Sequence, residues 1–185
     1  MPWIMAYFVT EKHNRKKDIV MKKTVIIYGS STGTCQSIAE TIAQKLGVAD
    51  IMDVAKVTIA QVQGYDNLLL GTSTWGAGEM QDDWYGGIKQ ITSADLSGKT
   101  VALFGCGDSQ SYSDTFCDGM GEIYRELQGT GCNIIGGVST DGYTYDDSTA
   151  VVDGRFVGLA IDDVNESEQT EARIDAWVEV IKNQL

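Results

Sequence analysis

The sequence predicts a doubly wound α/β domain, a three-layer sandwich in which a parallel sheet is covered by helices on both faces. Three observations predict it. Continuously apolar runs of strand length recur along the chain, among them TVIIY, NLLLG and TVALFG, as strands buried on both faces require. Amphipathic helical segments alternate with them, which is the order of parallel strands joined by right-handed crossovers. Loops rich in glycine and hydroxyls come after several strands, at the carboxyl edge where such sheets bind ligands.

Each element has its own signal. Thr24–Tyr28 is a β-branched run closed by Gly29. Thr34–Leu46 places Ile38, Ile42 and Leu46 on one helical face. Asp50–Val54 reads as the second strand, Asn67–Gly71 as the third and Thr100–Gly105 as the fourth. Helices are expected at Trp84–Ile91 and Phe116–Gln128. A fifth strand begins at Cys132–Val138 and resumes at Phe156–Ile161. The last helix, about Ser167–Asn183, sets Ile174, Val178 and Ile181 at i, i+4 and i+7, a face packed on a sheet.

At 185 residues and 43% hydrophobic, the chain holds enough for one good core. Residues 1–20 differ in character from the remainder of the chain: an apolar patch precedes a basic one, the reverse of a signal peptide, and the apolar run is too short to span a membrane. They are expected to be a dispensable extension, with residues 21–185 forming the domain. The extension carries four Lys/Arg and two Asp/Glu, so the remaining 165 residues hold a net charge of −14.

Charge and cysteines exclude several functions. A net charge of −12 argues against nucleic acid, whose phosphates need a basic surface. An acidic face suits encounter with basic proteins. Cys35, Cys106, Cys117 and Cys132 form no C-x-x-C pair, which argues against iron–sulfur, zinc and dithiol sites. Reduced thiols fit a cytoplasmic protein. The single histidine, His13, lies in the extension, so a histidine-based triad is not expected.

Three loops converge on one candidate site. The first, Gly29-Ser30-Ser31-Thr32-Gly33-Thr34-Cys35, runs from a strand into a helix, where unpaired amides and the helix dipole favour an anion. It lacks the lysine of a nucleotide P-loop, which suits a single phosphomonoester better than a triphosphate with magnesium. The second, Gly71-Thr72-Ser73-Thr74-Trp75-Gly76-Ala77-Gly78-Glu79, sets an aromatic among small residues, as one wall for a flat ligand. The third, Gly105-Cys106-Gly107-Asp108-Ser109-Gln110-Ser111-Tyr112, brings an opposite wall. A planar ligand with one phosphate is FMN-like, and no metal site is expected.

At these residues the chain resembles the flavodoxins, over essentially all of 21–185. Ser30-Ser31-Thr32-Gly33-Thr34-Cys35 is similar to the family's phosphate motif, [ST]-x-T-G-x-T, with Cys35 where a hydroxyl is usual; one side-chain hydrogen bond to phosphate is expected to be weakened or lost. GTSTWGAGEMQDDW (71–84) looks like the second flavin loop. It implies Trp75 over one flavin face and Ser73 reaching phosphate, with Thr72, Thr74, Gly76 and Ala77 around them. Ala77 stands where relatives often have an acid, which removes a negative charge near the ring. The third loop implies Tyr112 on the other face, backbone amides near Asp108 and Cys117 at the pyrimidine edge, and Gly105, Gly107 and Phe116 nearby.

The resemblance also implies a five-stranded sheet of order 2-1-3-4-5, and it makes Ser139–Arg155 the insertion of long-chain members, either for partner docking or as a tolerated surface loop. The implied function is that of a low-potential one-electron carrier without substrate turnover, using the semiquinone/hydroquinone couple of bound FMN. Implied partners are basic-faced redox proteins such as a flavodoxin/ferredoxin reductase or pyruvate oxidoreductase, met by a monomer with no stable membrane association. The alternatives are an NAD(P)H:quinone reductase of the same fold, a flavoprotein partner of a ribonucleotide reductase, or a flavin-free regulatory domain.

Overall fold

The computed structural model describes residues 22–185, so the expected extension, residues 1–20, and Met21, where the domain is expected to begin, lie outside the described residues. The chain runs β1 (Thr24–Gly29), α1 (Thr34–Leu46), β2 (Asp50–Asp53), a short α2 (Ile59–Gln63), β3 (Asn67–Trp75), β4 (Glu79–Met80), α3 (Trp84–Thr92) and β5 (Thr100–Cys106). It continues through α4 (Asp118–Glu126), β6 (Asn133–Ile135), β7 (Val138–Ser139), β8 (Val151–Val152), β9 (Arg155–Phe156), β10 (Leu159–Ile161) and α5 (Ser167–Ile181).

β1 lies between β2 and β3, and its alternation divides the core. Val25 and Ile27 enter one cluster with Trp84, Ile88 and Ile91 of α3 and Met120 and Ile123 of α4. Ile26 enters the other, with Ile38 and Ile42 of α1 and Ile174, Trp177 and Ile181 of α5. The strands carry apolar side chains on both faces because both faces are covered.

The main sheet runs β2-β1-β3-β5, and β5 then pairs with two segments in turn. β6 pairs with its start, Thr100–Ala102, and β10 with its end, Phe104–Cys106, both parallel. These two short strands share the fifth position, which gives the 2-1-3-4-5 order implied by the resemblance.

Several boundaries differ from expectation. β3 runs on to Trp75 rather than stopping at Gly71, because β4 folds back antiparallel on its end. Val54 leaves the second strand for a single 3₁₀ turn capped by Asp53. The helix expected from Phe116 starts at Asp118, since Cys117 takes a left-handed conformation with φ 58°. The fifth strand resumes at Leu159; Phe156 belongs to a separate three-stranded antiparallel sheet, β7-β9-β8, which frames the insertion.

The insertion is packed. Tyr145 stacks on Phe116 at 5.6 Å, Tyr143 lies edge-on to Phe156 at 5.0 Å, and the Arg173 guanidinium sits 4.0 Å over the Tyr143 ring. The Tyr143 hydroxyl donates to the Ala160 carbonyl at 2.9 Å, and burial pushes its pKa up to about 12.

Candidate functional site

Strand register brings the loops together. Gly29 of β1 pairs with Thr72 of β3, Thr72 with Gly105 of β5, and Gly105 with Ala160 of β10. The chain leaves each of these strands at or soon after that row, so four loops open on one sheet edge. Between them lies a cleft walled by Thr32, Thr34, Ser73, Thr74, Trp75, Gly76, Cys106, Gly107, Asp108, Tyr112, Thr115, Asp163 and Val164.

The first loop is arranged for an anion. Gly33, with φ 95°, turns the chain into α1, and no side chain caps the helix; its first turn holds no acid. The loop braces itself through Ser30, whose Oγ accepts from the Gly33 amide at 3.1 Å. Thr32 and Thr34 line the cleft, and Ser31 is exposed beside them. Uncapped first-turn amides and the positive end of the dipole are the chemistry of a phosphate site.

Trp75 and Tyr112 wall the same cleft while remaining 42% and 55% exposed. Neither stacks on another aromatic among the described residues. Trp75 is held by its indole Nε1–H, which donates to Ser73 Oγ at 2.8 Å. That bond leaves the Ser73 hydroxyl proton available to a ligand acceptor. Thr74 Oγ1 accepts from the Gly119 amide at 3.2 Å, tying this loop to the start of α4.

The turn after Trp75 is tightly determined. The Trp75 carbonyl accepts from the Gly78 amide at 3.0 Å, and Gly76 has φ 53°, which a β-branched residue resists. The Glu79 carboxylate folds back over the turn and accepts the Ala77 amide at 2.6 Å. A Cβ on Gly76 would meet that carboxylate. The negative charge that Ala77 does not supply is thus brought to the same turn by Glu79. Ala77 itself is exposed and does not line the cleft.

Other expected site residues are not among those that line the cleft. Cys35 is fully buried, and its thiol faces Cys106 in the core, so its side chain takes no part in the cleft. The contact with Cys106 first, and burial second, push the Cys35 pKa up; burial does the same for Cys117, whose Sγ faces the Gly105 carbonyl. Both thiols stay protonated and inert. Thr72 is buried, its Oγ1 accepting from the Gln81 amide and donating to the Ser73 carbonyl. Gly105 packs against Met120, and Phe116 supports the insertion. Among the third-loop residues expected, Gly107, Asp108 and Tyr112 reach the cleft.

Sequence reasoning passed over Thr115, Asp163 and Val164, which also line it. The last two sit on the loop after β10, whose strand ends at the same edge as the others. The carboxyl-edge rule, applied to the resumed fifth strand, points to them.

The arrangement offers one anion site, two aromatic walls and a floor of backbone, without a metal cluster among the described residues. The chain as a whole matches known proteins. The family model described as Flavodoxin matches residues 26–177. The flavodoxin of Synechocystis sp. is 41% identical over 165 residues, covering 88% of this chain and 97% of that protein. Flavodoxin 1 of Azotobacter vinelandii is 39% identical over 171 residues, 89% of this chain and 98% of that one. Among solved structures, Fusobacterium nucleatum flavodoxin bound to flavin mononucleotide superposes with a TM-score of 0.83 at 31% identity, over 89% of this chain and 99% of that chain.

Proposed function

The chain belongs to the flavodoxin family, and from that premise we propose how its cleft does the work. It is an FMN-based electron carrier, an electron-transfer protein rather than an enzyme. The quinone-reductase and ribonucleotide-reductase-partner alternatives are not favoured by relatives named as flavodoxins.

The observation that carries the site assignment is the joint geometry of the uncapped α1 N-terminus and the two unstacked aromatics on one cleft. Phosphate belongs at the Ser30–Thr34 loop, with Thr32, Thr34 and the Ser73 hydroxyl as donors. Trp75 and Tyr112 take the ring between them, and the backbone at Gly107 and Asp108 faces its remaining edge. Bound FMN supplies reversible uptake of single electrons. The protein supplies two biases. Aromatic walls exclude water from the ring, and the acidic domain, at −14 for residues 21–185, disfavours each added negative charge. Low potential is the expected consequence. The Trp75–Gly78 turn adds a restrained backbone beside the ring: the Trp75 carbonyl accepts from the Gly78 amide, and the Ala77 amide donates to Glu79.

A carrier needs redox partners, and basic-faced ones fit. Glu79, Asp82, Asp83 and Asp114 are exposed on the segments around Trp75 and Tyr112. We infer docking of a flavodoxin/ferredoxin reductase or an oxo-acid oxidoreductase such as that for pyruvate against this rim, by a monomer acting in the cytoplasm. No helix among the described residues is long and apolar enough to cross a membrane. The test is titration of apoprotein with FMN followed by electron transfer from a reductase at rising salt. One FMN per chain and a rate that falls with ionic strength support the reading. Absence of FMN binding, or NADPH–quinone turnover by the pure protein, contradicts it.

A further inference from the structure

Asp162 is fully buried, at 0% exposure, yet it is a carboxylate at the end of β10. Four donors on two residues satisfy it. The Ser109 amide and hydroxyl donate to Oδ2 at 3.0 and 2.5 Å. The Asn165 amide donates to Oδ1 at 3.0 Å, and the Asn165 side-chain Nδ2 reaches Oδ2 at 2.9 Å. The same Nδ2 donates to Asp108 Oδ1 at 2.8 Å, and that oxygen also accepts the Gln110 and Ser111 amides. The Tyr112 amide in turn donates to the Asp108 carbonyl at 3.0 Å.

These bonds join the third loop to the loop after β10. The bonded residues flank or belong to the cleft wall: Asp162 and Asn165 enclose Asp163 and Val164, while Asp108 is itself in the wall and leads to Tyr112. We propose that Asp162 is a positioning residue for flavin binding, a buried carboxylate that clamps two loops together and so fixes the wall carried by Gly107, Asp108 and Tyr112. Burial of an ion is costly, and four donors on one carboxylate are the condition under which it is tolerated. The bonds of this clamp run to Ser109 and Asp108 on the third loop and none runs to the Ser30–Thr34 phosphate loop, so the clamp serves the ring side of the ligand. The inference rests on the FMN reading of the cleft.

The test compares FMN with riboflavin, which lacks the phosphate, in fluorescence titrations of apoprotein. Asp162→Asn keeps the shape but places an amide against the Ser109 donors; Asn165→Ala cuts the link to Asp108 and carries the test if the first variant does not fold. Losing hydrogen bonds to a charged group corresponds to about tenfold or more in affinity. The expected result is a loss of that size for FMN and riboflavin alike. Visible circular dichroism of the bound flavin should change with it, while far-ultraviolet circular dichroism stays as in the unsubstituted protein. Thr34→Ala, by contrast, should weaken FMN only. Unchanged affinity for both ligands, or a loss confined to FMN, overturns the clamp. If the unsubstituted protein binds neither flavin, the FMN reading itself fails, a result distinct from equal binding by protein and variants.

Discussion

The Glu79 carboxylate accepts the Ala77 amide at 2.6 Å, closing the turn after Trp75. This one bond places an anion beside the cleft and fixes the direction of the Gly76–Ala77 peptide. Glu79→Gln retains an acceptor but removes the charge. The second reduction step, which adds negative charge to the site, should then move to a higher potential by roughly 10–50 mV, less at high salt. Spectroelectrochemistry at two ionic strengths checks the size and its screening.

Gly76 matters through its backbone. At φ 53° a β-branched side chain is strained, and a Cβ would also meet the Glu79 carboxylate. Gly76→Val should force the turn into another shape and shift both midpoint potentials, whereas Gly76→Asn, which tolerates left-handed conformations, should shift them less. Unchanged potentials in the valine variant would mean that the turn does not tune the site.

The aromatic walls should contribute to ring affinity. Stacking on an aromatic side chain is worth about 1–3 kcal/mol per ring, so Trp75→Ala and Tyr112→Ala should each weaken FMN by roughly five- to 150-fold. Isothermal titration of apoprotein measures it, and riboflavin should lose in proportion.

Phe116 separates a structural residue from a binding one. It is 1% exposed and packs with Tyr143, Tyr145 and Phe156. Phe116→Ala should cost about 3–5 kcal/mol of stability through the cavity it leaves. Denaturant unfolding should register that loss, with the insertion aromatics loosened first in near-ultraviolet circular dichroism.

Acid should open the ring side of the cleft. Burial pushes the Asp162 carboxyl up, but hydrogen bonds from Ser109 and Asn165 together outweigh it, and the net shift is below the ordinary 3.8. Asp108 is lowered as well, chiefly by the Ser111 amide. A depressed folded pKa stabilises the protein above the unfolded value and loses that contribution as pH falls through the folded one. FMN retention should therefore hold down to about pH 4 and decline below it, as read by flavin fluorescence on acid titration.

Much of the fold is legible in the residues. TVIIY, NLLLG and TVALFG announce buried parallel strands because strands covered on both faces have no polar alternation to hide them. The paired segments of the fifth strand are visible through the apolar runs on either side of the insertion. Side-chain direction is not legible: whether Cys35 faces phosphate or core, and whether Phe116 faces flavin or insertion, depends on contacts with distant residues. The short helix α2 was missed although Thr58 and Gln61 form a capping box, a signal local enough to read. Glu79 as the substitute for an acid at Ala77 required the fold-back of the turn, which spacing does not reveal.

The proposal that the cleft holds FMN and passes electrons one at a time is tested most directly by anaerobic reductive titration of the reconstituted protein, followed in the visible spectrum. Two separated one-electron steps, with a one-electron-reduced flavin species accumulating between them at a stoichiometry of one FMN per chain, are the expected result. A single two-electron step, or a protein that retains no flavin, would contradict it.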